Sequence, residues 1–107
     1  MNKVREDGCV AVLYSPGFGA GWYTWNLSRP ECVFDPDIVN LVRADASTEE
    51  IERVAREKWA QGEDYFYPGG ADQLRIEWIR EGLRFRIDEY DGSEQIVTEE
   101  DCEWLTA

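Results

Sequence analysis

The chain has 107 residues, 43% of them hydrophobic, which predicts one globular domain over residues 1–107. The net charge of -12 argues against direct binding to nucleic acid or to an anionic membrane, because phosphate contacts need lysine or arginine. The sequence contains no histidine and no Cys-x-x-Cys pair, so we expect no metal site and no cofactor.

The cysteine pattern and the N-terminus predict a cytoplasmic protein. Cys9, Cys32 and Cys102 are odd in number and widely spaced, which does not suit a disulfide framework. The first residues are charged and polar, so we expect no signal peptide, and no apolar run is long enough to span a membrane.

The first third of the chain predicts two strands. The apolar run Cys9–Tyr14 predicts a buried strand. Residues 22–27 alternate between Trp22, Thr24 and Asn26 on one side and their neighbours on the other, which predicts a second strand.

Two helices are predicted next. Asp35 and Pro36 suit the N-cap and first position of a short helix that ends near Ala44. Ser47 with a glutamate three residues later forms a capping box, which predicts a helix over about residues 48–60, ended by Gly62.

The last third predicts two hairpins. Apolar residues alternate with polar ones around Ile76 and around Phe85, and Glu81 and Gly82 lie between them, so we expect these two strands to pair. Asp91 and Gly92 predict a second hairpin that leads into a strand over about residues 94–97.

A short C-terminal helix completes the predicted elements. Thr98 and Asp101 provide its cap, and Trp104 and Leu105 lie in it. The order of elements predicts an α+β fold: a small single domain with a mostly antiparallel sheet, two central helices and this final helix.

Two glycine-aromatic loops are the predicted binding surface. Residues 15–26 contain three glycines and four aromatic residues, and residues 65–70 repeat this chemistry. The glycine spacing fits neither a dinucleotide fingerprint nor a P-loop, so no phosphate-binding turn is expected. We predict that the loops form one partner- or ligand-binding site from Phe18, Gly17, Gly19, Gly21, Trp22, Tyr23, Tyr65, Tyr67, Gly69 and Gly70. The alternative is a plain strand connection with Trp22 and Trp25 in the core.

Three arginines give a second candidate site. If the first predicted hairpin forms, Arg75, Arg84 and Arg86 share its polar face and can hold a phosphate or carboxylate. The competing interpretation, cross-strand pairing with Glu77 and Asp88, is favoured.

These features predict a binding protein rather than an enzyme. Without histidine, serine and cysteine nucleophiles lack their usual base, so no catalytic residue is assigned. The favoured function is stoichiometric occlusion of a protein with a basic surface, since acidic charge and aromatic residues suit such a partner.

Three alternatives stay open. One is capture of a nucleotide-like small molecule by aromatic stacking and the arginines. Another is DNA mimicry by the eight acids between Asp88 and Glu103, although a solvated face is the simpler reading of that run. The third is a homodimer that buries the surplus aromatic residues.

The whole chain resembles the short acidic proteins of unknown function encoded by bacteriophages. The resemblance rests on small size, acidity, abundant tryptophan and the segments YSPGFGAGW and YFYPGGADQLRIEW. It implies a host-takeover or counter-defence role as an inhibitor of a host or defence protein. Such proteins block a host protein, imitate DNA or sequester nucleotide signals. No site residue is carried over from it.

Overall fold

Two antiparallel sheets and two helices form the α+β fold of the computed structural model, which describes residues 2–61, 65–101 and 107. One sheet has the order β1-β2-β3, from Arg5–Glu6, Cys9–Tyr14 and Arg75–Arg80. The other pairs β4 with β5, from Phe85–Tyr90 and Ser93–Thr98. The helices are α1, Pro36–Arg43, and α2, Thr48–Trp59. The predicted α+β class is confirmed, whereas Gly62 and the predicted C-terminal helix lie outside the described residues.

Both helices begin at the predicted caps. The Asp35 carboxylate accepts the backbone N–H of Ile38 at 3.1 Å, and Pro36 follows it as the first helical residue. The Ser47 hydroxyl accepts the N–H of Glu50 at 3.2 Å. Each cap satisfies a backbone donor that the first helical turn leaves without a partner.

Strand β2 is the centre of the fold and is buried on both faces. Ala11 lies opposite Trp78 of β3, and Arg43 of α1 covers that tryptophan ring at 5.5 Å, so this face meets the helices. Val12 and Ile79, on the other face, line a cleft with Phe85 of β4. The β4–β5 hairpin and the helices therefore cover opposite faces of the first sheet.

The prediction that the strands around Ile76 and Phe85 form a hairpin is wrong. β3 pairs with β2 in an antiparallel register that joins Tyr14 to Arg75, and β4 pairs with β5. The connection at Glu81 and Gly82 is a turn in which Glu81 donates its N–H to Gly8, which leads the chain from one sheet to the other. The alternation of apolar and polar residues predicts that a segment is a strand, but it does not reveal which other strand it pairs with.

The prediction of a strand over residues 22–27 is also wrong. The segment is a series of turns in which Asn26 donates its N–H to Tyr23 and Arg29 donates to Asn26. Trp22 anchors the segment, because its indole N–H donates to the Cys32 carbonyl at 2.7 Å. The hydrogen bonds within the turns and the buried Trp22 side chain determine the conformation of this segment, although its alternating pattern is compatible with a strand.

The Asp91–Gly92 hairpin is confirmed. Both residues have positive φ, 50° and 84°, as a two-residue hairpin turn requires. Asparagine, aspartate and glycine tolerate this conformation better than other residues, which is why the sequence signal was specific.

Candidate functional site

The two glycine-aromatic loops lie against each other, as predicted. The Asn26 amide donates to the carbonyls of Trp22 and Tyr67, at 2.6 and 2.9 Å, and its carbonyl oxygen accepts the Tyr67 N–H at 2.7 Å. Backbone packing adds to this bridge, since a Cβ on Gly70 would lie 2.7 Å from the carbonyl oxygen of Gly21. One buried asparagine and two glycines thus hold the loops together.

Several of the predicted site residues are core residues instead. Trp22 is 0% exposed and packs edge-on against Trp59 and Phe66, at ring distances of 6.3 and 5.1 Å. The prediction that Trp22 contacts a partner is therefore corrected, and the alternative core assignment holds for this residue. Gly21 and Gly70 are buried too and act in packing rather than in ligand contact.

The remaining predicted glycines shape the loops. Gly19 has a φ of 103° and donates its N–H to the Asp91 carbonyl at 2.8 Å. Gly17 packs against Gln73, and Gly69 packs against the Tyr67 ring. The contacts of Gly17 and Gly19 hold the first loop against other parts of the fold, whereas the contact of Gly69 lies within the second loop.

Phe18 is the exposed tip of the first loop. Its side chain is 73% exposed and lines a cleft of about 270 Å³ together with Tyr90, which is 79% exposed. The other walls of the cleft include Asp88 and Glu89. Large aromatic side chains this exposed contribute nothing to the core, and clustered ones are typical of interaction sites.

Trp25 extends this surface to the second loop. Its indole N–H donates to the Glu89 carboxylate at 2.8 Å, and its ring stacks on Tyr67 at 5.1 Å with an interplanar angle of 27°. Glu89 thus belongs both to the Phe18 cleft and to the Trp25 pair. We call the continuous set the aromatic-acidic surface; it consists of Phe18, Trp25, Tyr67, Asp88, Glu89 and Tyr90.

Tyr90 and Trp25 were not among the predicted site residues. Tyr90 directly precedes the Asp91–Gly92 turn, so a hairpin tip carrying an aromatic residue was a usable signal. The two other predicted tyrosines lie elsewhere: Tyr23 is half-buried in a groove beside Phe85, and Tyr65 is exposed.

Glu94 fixes the position of the first loop. Its carboxylate is 2% exposed and accepts the backbone N–H groups of Ser15 and Thr24, at 2.8 and 2.9 Å, and the Thr24 hydroxyl at 2.7 Å. The Glu94 N–H also donates to the Ser15 carbonyl at 2.8 Å. These three hydrogen-bond donors offset the free-energy cost of burying the carboxylate.

The predicted arginine site does not assemble as expected. Arg75 lies on β3, whereas Arg86 lies on β4 of the other sheet and Arg84 directly precedes β4, so the proposed shared hairpin face does not exist. Arg84 pairs with Glu99 and Arg86 with Asp88, each at 3.0 Å. The Arg84 guanidinium lowers the pKa of the Glu99 carboxyl through their hydrogen bond.

The C-terminal acids do not form one exposed row. Glu94 is buried, and Asp101 accepts the Thr98 hydroxyl at 2.9 Å. Glu100 pairs with Arg80. DNA mimicry predicted uniformly exposed acids, and Glu94 departs from that pattern; Glu103 lies outside the described residues.

Metal and thiol chemistry receive no support from the residues that the structure describes. Within them no group of three or more carboxylates or cysteines is arranged to hold a metal ion. The Cys32 thiol is buried, which raises its pKa and keeps it protonated. Nor does any helix in the described ranges have the length and apolar character needed to cross a membrane.

Comparison of the chain with protein-family models, with curated proteins and with solved structures gives no match.

Proposed function

We propose that the protein binds a basic segment of a partner protein on the aromatic-acidic surface and acts by occluding that segment. The observation that supports this proposal is the cleft in which Phe18 and Tyr90 lie beside Asp88 and Glu89. Exposed aromatic rings and carboxylates together suit a guanidinium or ammonium group, which gains from both cation–π contact and charge pairing.

The charge of the whole molecule favours the same class of partner. A net charge of -12 attracts basic surfaces over a distance of about 8 Å at physiological salt. The aromatic rings then supply the contact energy, because tyrosine and tryptophan dominate the energetics of protein interfaces. A nucleotide phosphate fits this cleft less well, since Asp88 and Glu89 would repel it.

The resemblance stated above and the cysteines support a host protein as the partner and a cytoplasmic location. The resemblance to phage-encoded acidic proteins favours a host protein as the partner, with stoichiometric inhibition as the outcome. Cys9 and Cys32 are free thiols, which suits a reducing cytoplasm.

Binding of a fluorescein-labelled arginine-rich peptide, measured by anisotropy, tests the proposal. We expect Phe18→Ala and Tyr90→Ala each to weaken binding about tenfold, the effect of losing about 1.4 kcal/mol of contact energy. Leu27→Ala is the matched control, because it removes another exposed apolar side chain and should leave the affinity unchanged.

Two double variants separate the effect of the charges at the aromatic-acidic surface from the effect of the overall net charge. Glu89→Gln with Asp88→Asn removes two charges of the aromatic-acidic surface, and Glu49→Gln with Glu57→Gln removes two on α2. The first pair should weaken binding much more than the second. Equal losses, or no effect of Phe18→Ala and Tyr90→Ala, would show that the peptide binds by net charge alone and would refute the proposed site.

A further inference from the structure

Strand β4 has one side that no strand covers within residues 2–61, 65–101 and 107. It pairs with β5 from Phe85 opposite Thr98 to Tyr90 opposite Ser93, and no described strand lies on its other side. Such an edge offers a row of backbone donors and acceptors to an extended chain. Addition of a partner strand to an exposed edge is a recurring mode of peptide recognition.

The hairpin turn fixes which backbone groups point to that open side. A two-residue turn makes Tyr90 and Ser93 a hydrogen-bonded pair, and bonded and non-bonded pairs then alternate along the ladder. The N–H and C=O groups of Ile87 and Glu89 therefore point away from β5. Glu94, opposite Glu89, has the same phase, since its N–H donates to a carbonyl outside the hairpin at 2.8 Å.

An apolar groove lies on one face of this edge. Phe85, Ile87 and Glu89 share a face of β4, because side chains alternate along a strand. A groove of about 360 Å³ lies beside Phe85 and Ile87. Its other walls are Tyr23, Pro30, Val33, Phe34 and Arg86. A strand added to β4 would place every second side chain on this face, and apolar side chains suit the groove.

Acidic groups lie at the end of the edge next to the turn. Glu89 accepts the Trp25 indole N–H through Oε2, and its Oε1 accepts no hydrogen bond from a residue that the structure describes. On the opposite face, Asp88 and Tyr90 line the cleft of the aromatic-acidic surface. Arg86 already pairs with Asp88 at 3.0 Å, and a partner needs no contact with it. The turn end of the edge therefore suits cations, and the far end suits apolar side chains.

We infer that the basic segment of the partner is an extended strand that adds antiparallel to β4, with its basic N-terminal end at the turn. This inference rests on the proposed function and names the form of the partner segment. Basic residues lie opposite Tyr90 and Glu89, and apolar residues lie opposite Ile87 and Phe85. The antiparallel direction continues the pairing of the hairpin and is the more stable one per residue.

Binding of the capped hexapeptide Arg-Lys-Thr-Val-Thr-Val, labelled with fluorescein and measured by anisotropy, tests the inference. In the inferred register its first valine lies opposite Ile87 and exchanges two backbone hydrogen bonds with it. N-methylation of that valine removes one bond and puts a methyl group against the strand, so the affinity should fall about tenfold. N-methylation of the preceding threonine is the matched control and should leave the affinity unchanged, because its N–H points to solvent.

Amide hydrogen exchange, followed by NMR, tests the same contact from the protein side. Saturating peptide should slow exchange at Ile87 and Glu89 by about tenfold, because their amides become hydrogen-bonded. The amides of Arg86 and Asp88 already face β5 and should change little, so they are an internal control. Neither measurement needs a substitution in the protein, so neither depends on a variant that folds.

The outcomes separate this inference from the proposed function. Equal effects of the two N-methylations, with Phe18→Ala still weakening binding, would overturn strand addition and leave the proposed surface in place. A loss at the valine alone, without any effect of Phe18→Ala or Tyr90→Ala, would support strand addition and refute the aromatic contribution. A hexapeptide that does not bind would overturn the inference. So would slow exchange of Ile87 and Glu89 in the free protein, because a second copy or another segment would then already cover the edge.

Discussion

The Glu94 carboxylate accepts both the backbone N–H and the hydroxyl of Thr24, at 2.9 and 2.7 Å. Because the same carboxylate also accepts the N–H of Ser15 at 2.8 Å, strand β5 holds both ends of the loop that carries Phe18. The position of the exposed aromatic tip therefore depends on one buried acid.

Glu94→Gln tests this dependence through stability. The amide keeps the shape of the side chain but directs an NH₂ group at N–H donors, so a buried donor loses its acceptor. We expect a loss of about 2–4 kcal/mol in the free energy of unfolding, measured by urea denaturation. Glu89→Gln, on the residue directly opposite, should cost under about 1 kcal/mol because its side chain is exposed. Equal costs for the two variants would contradict the role of Glu94.

Asn26→Asp tests the bridge between the two loops. The aspartate can still accept the Tyr67 N–H, but it places a negative charge against the Trp22 and Tyr67 carbonyls, which lose their donor. We expect a loss of about 2–3 kcal/mol in the free energy of unfolding. Asn40→Asp, at an exposed position of α1, makes the same chemical change and should cost only a few tenths of a kcal/mol. A small effect of Asn26→Asp would show that the loops are held by other contacts.

The raised pKa of the Glu77 carboxyl predicts that the stability of the fold depends on pH. Burial, with a further contribution from the charge of Asp101, raises the pKa of the Glu77 carboxyl above its ordinary 4.5. A folded-state pKa above the unfolded one means that stability from this group is present at low pH and is lost as pH rises through the folded value. Glu77→Gln should therefore melt at a higher temperature than the wild type at neutral pH, and the difference should vanish at acidic pH.

Glu99 is the control of opposite sign. Arg84 lowers the pKa of the Glu99 carboxyl in the folded state, so its contribution is present above the unfolded pKa and is lost as pH falls through the folded value. Glu99→Gln should melt at a lower temperature than the wild type at neutral pH and match it in acid. The same sign for both variants would contradict these two assignments.

Local signals in the sequence predicted much of the fold. The caps at Asp35 and Ser47, the apolar run of β2 and the Asp91–Gly92 turn act over a few residues, and each was read correctly. Asp7 and Gly8 form a further tight turn, with φ of 51° and 80°, that was not predicted. The Asp-Gly pair was an available signal, because the same pair forms the hairpin turn at Asp91–Gly92. The strand before it, Arg5–Glu6, is charged and has no apolar face, so the alternating pattern that indicates a hairpin strand is missing.

Non-local pairing accounts for what the sequence did not reveal. β3 has a neighbour more than sixty positions away along the chain, and its alternation is compatible with either β2 or β4 as partner. Glu94 lies in a run of acids that all suit a solvated surface, and only the folded loop shows that Ser15 and Thr24 donate to it. The approach of the two aromatic loops was predicted from their chemistry, whereas the contribution of Trp25 and Tyr90 depends on the hairpin that brings Glu89 between them.

The most direct test of the proposed binding surface is an NMR titration with the arginine-rich peptide, read at the tryptophan indole N–H signals. The Trp25 indole donates to Glu89 at the surface, and the Trp22 indole donates to Cys32 in the core, so the second signal is an internal control. We predict that the Trp25 signal and the backbone amides of Phe18 and Tyr90 shift on binding, while the Trp22 signal stays in place. Shifts concentrated on α2, with the Trp25 signal unmoved, would contradict the proposed function.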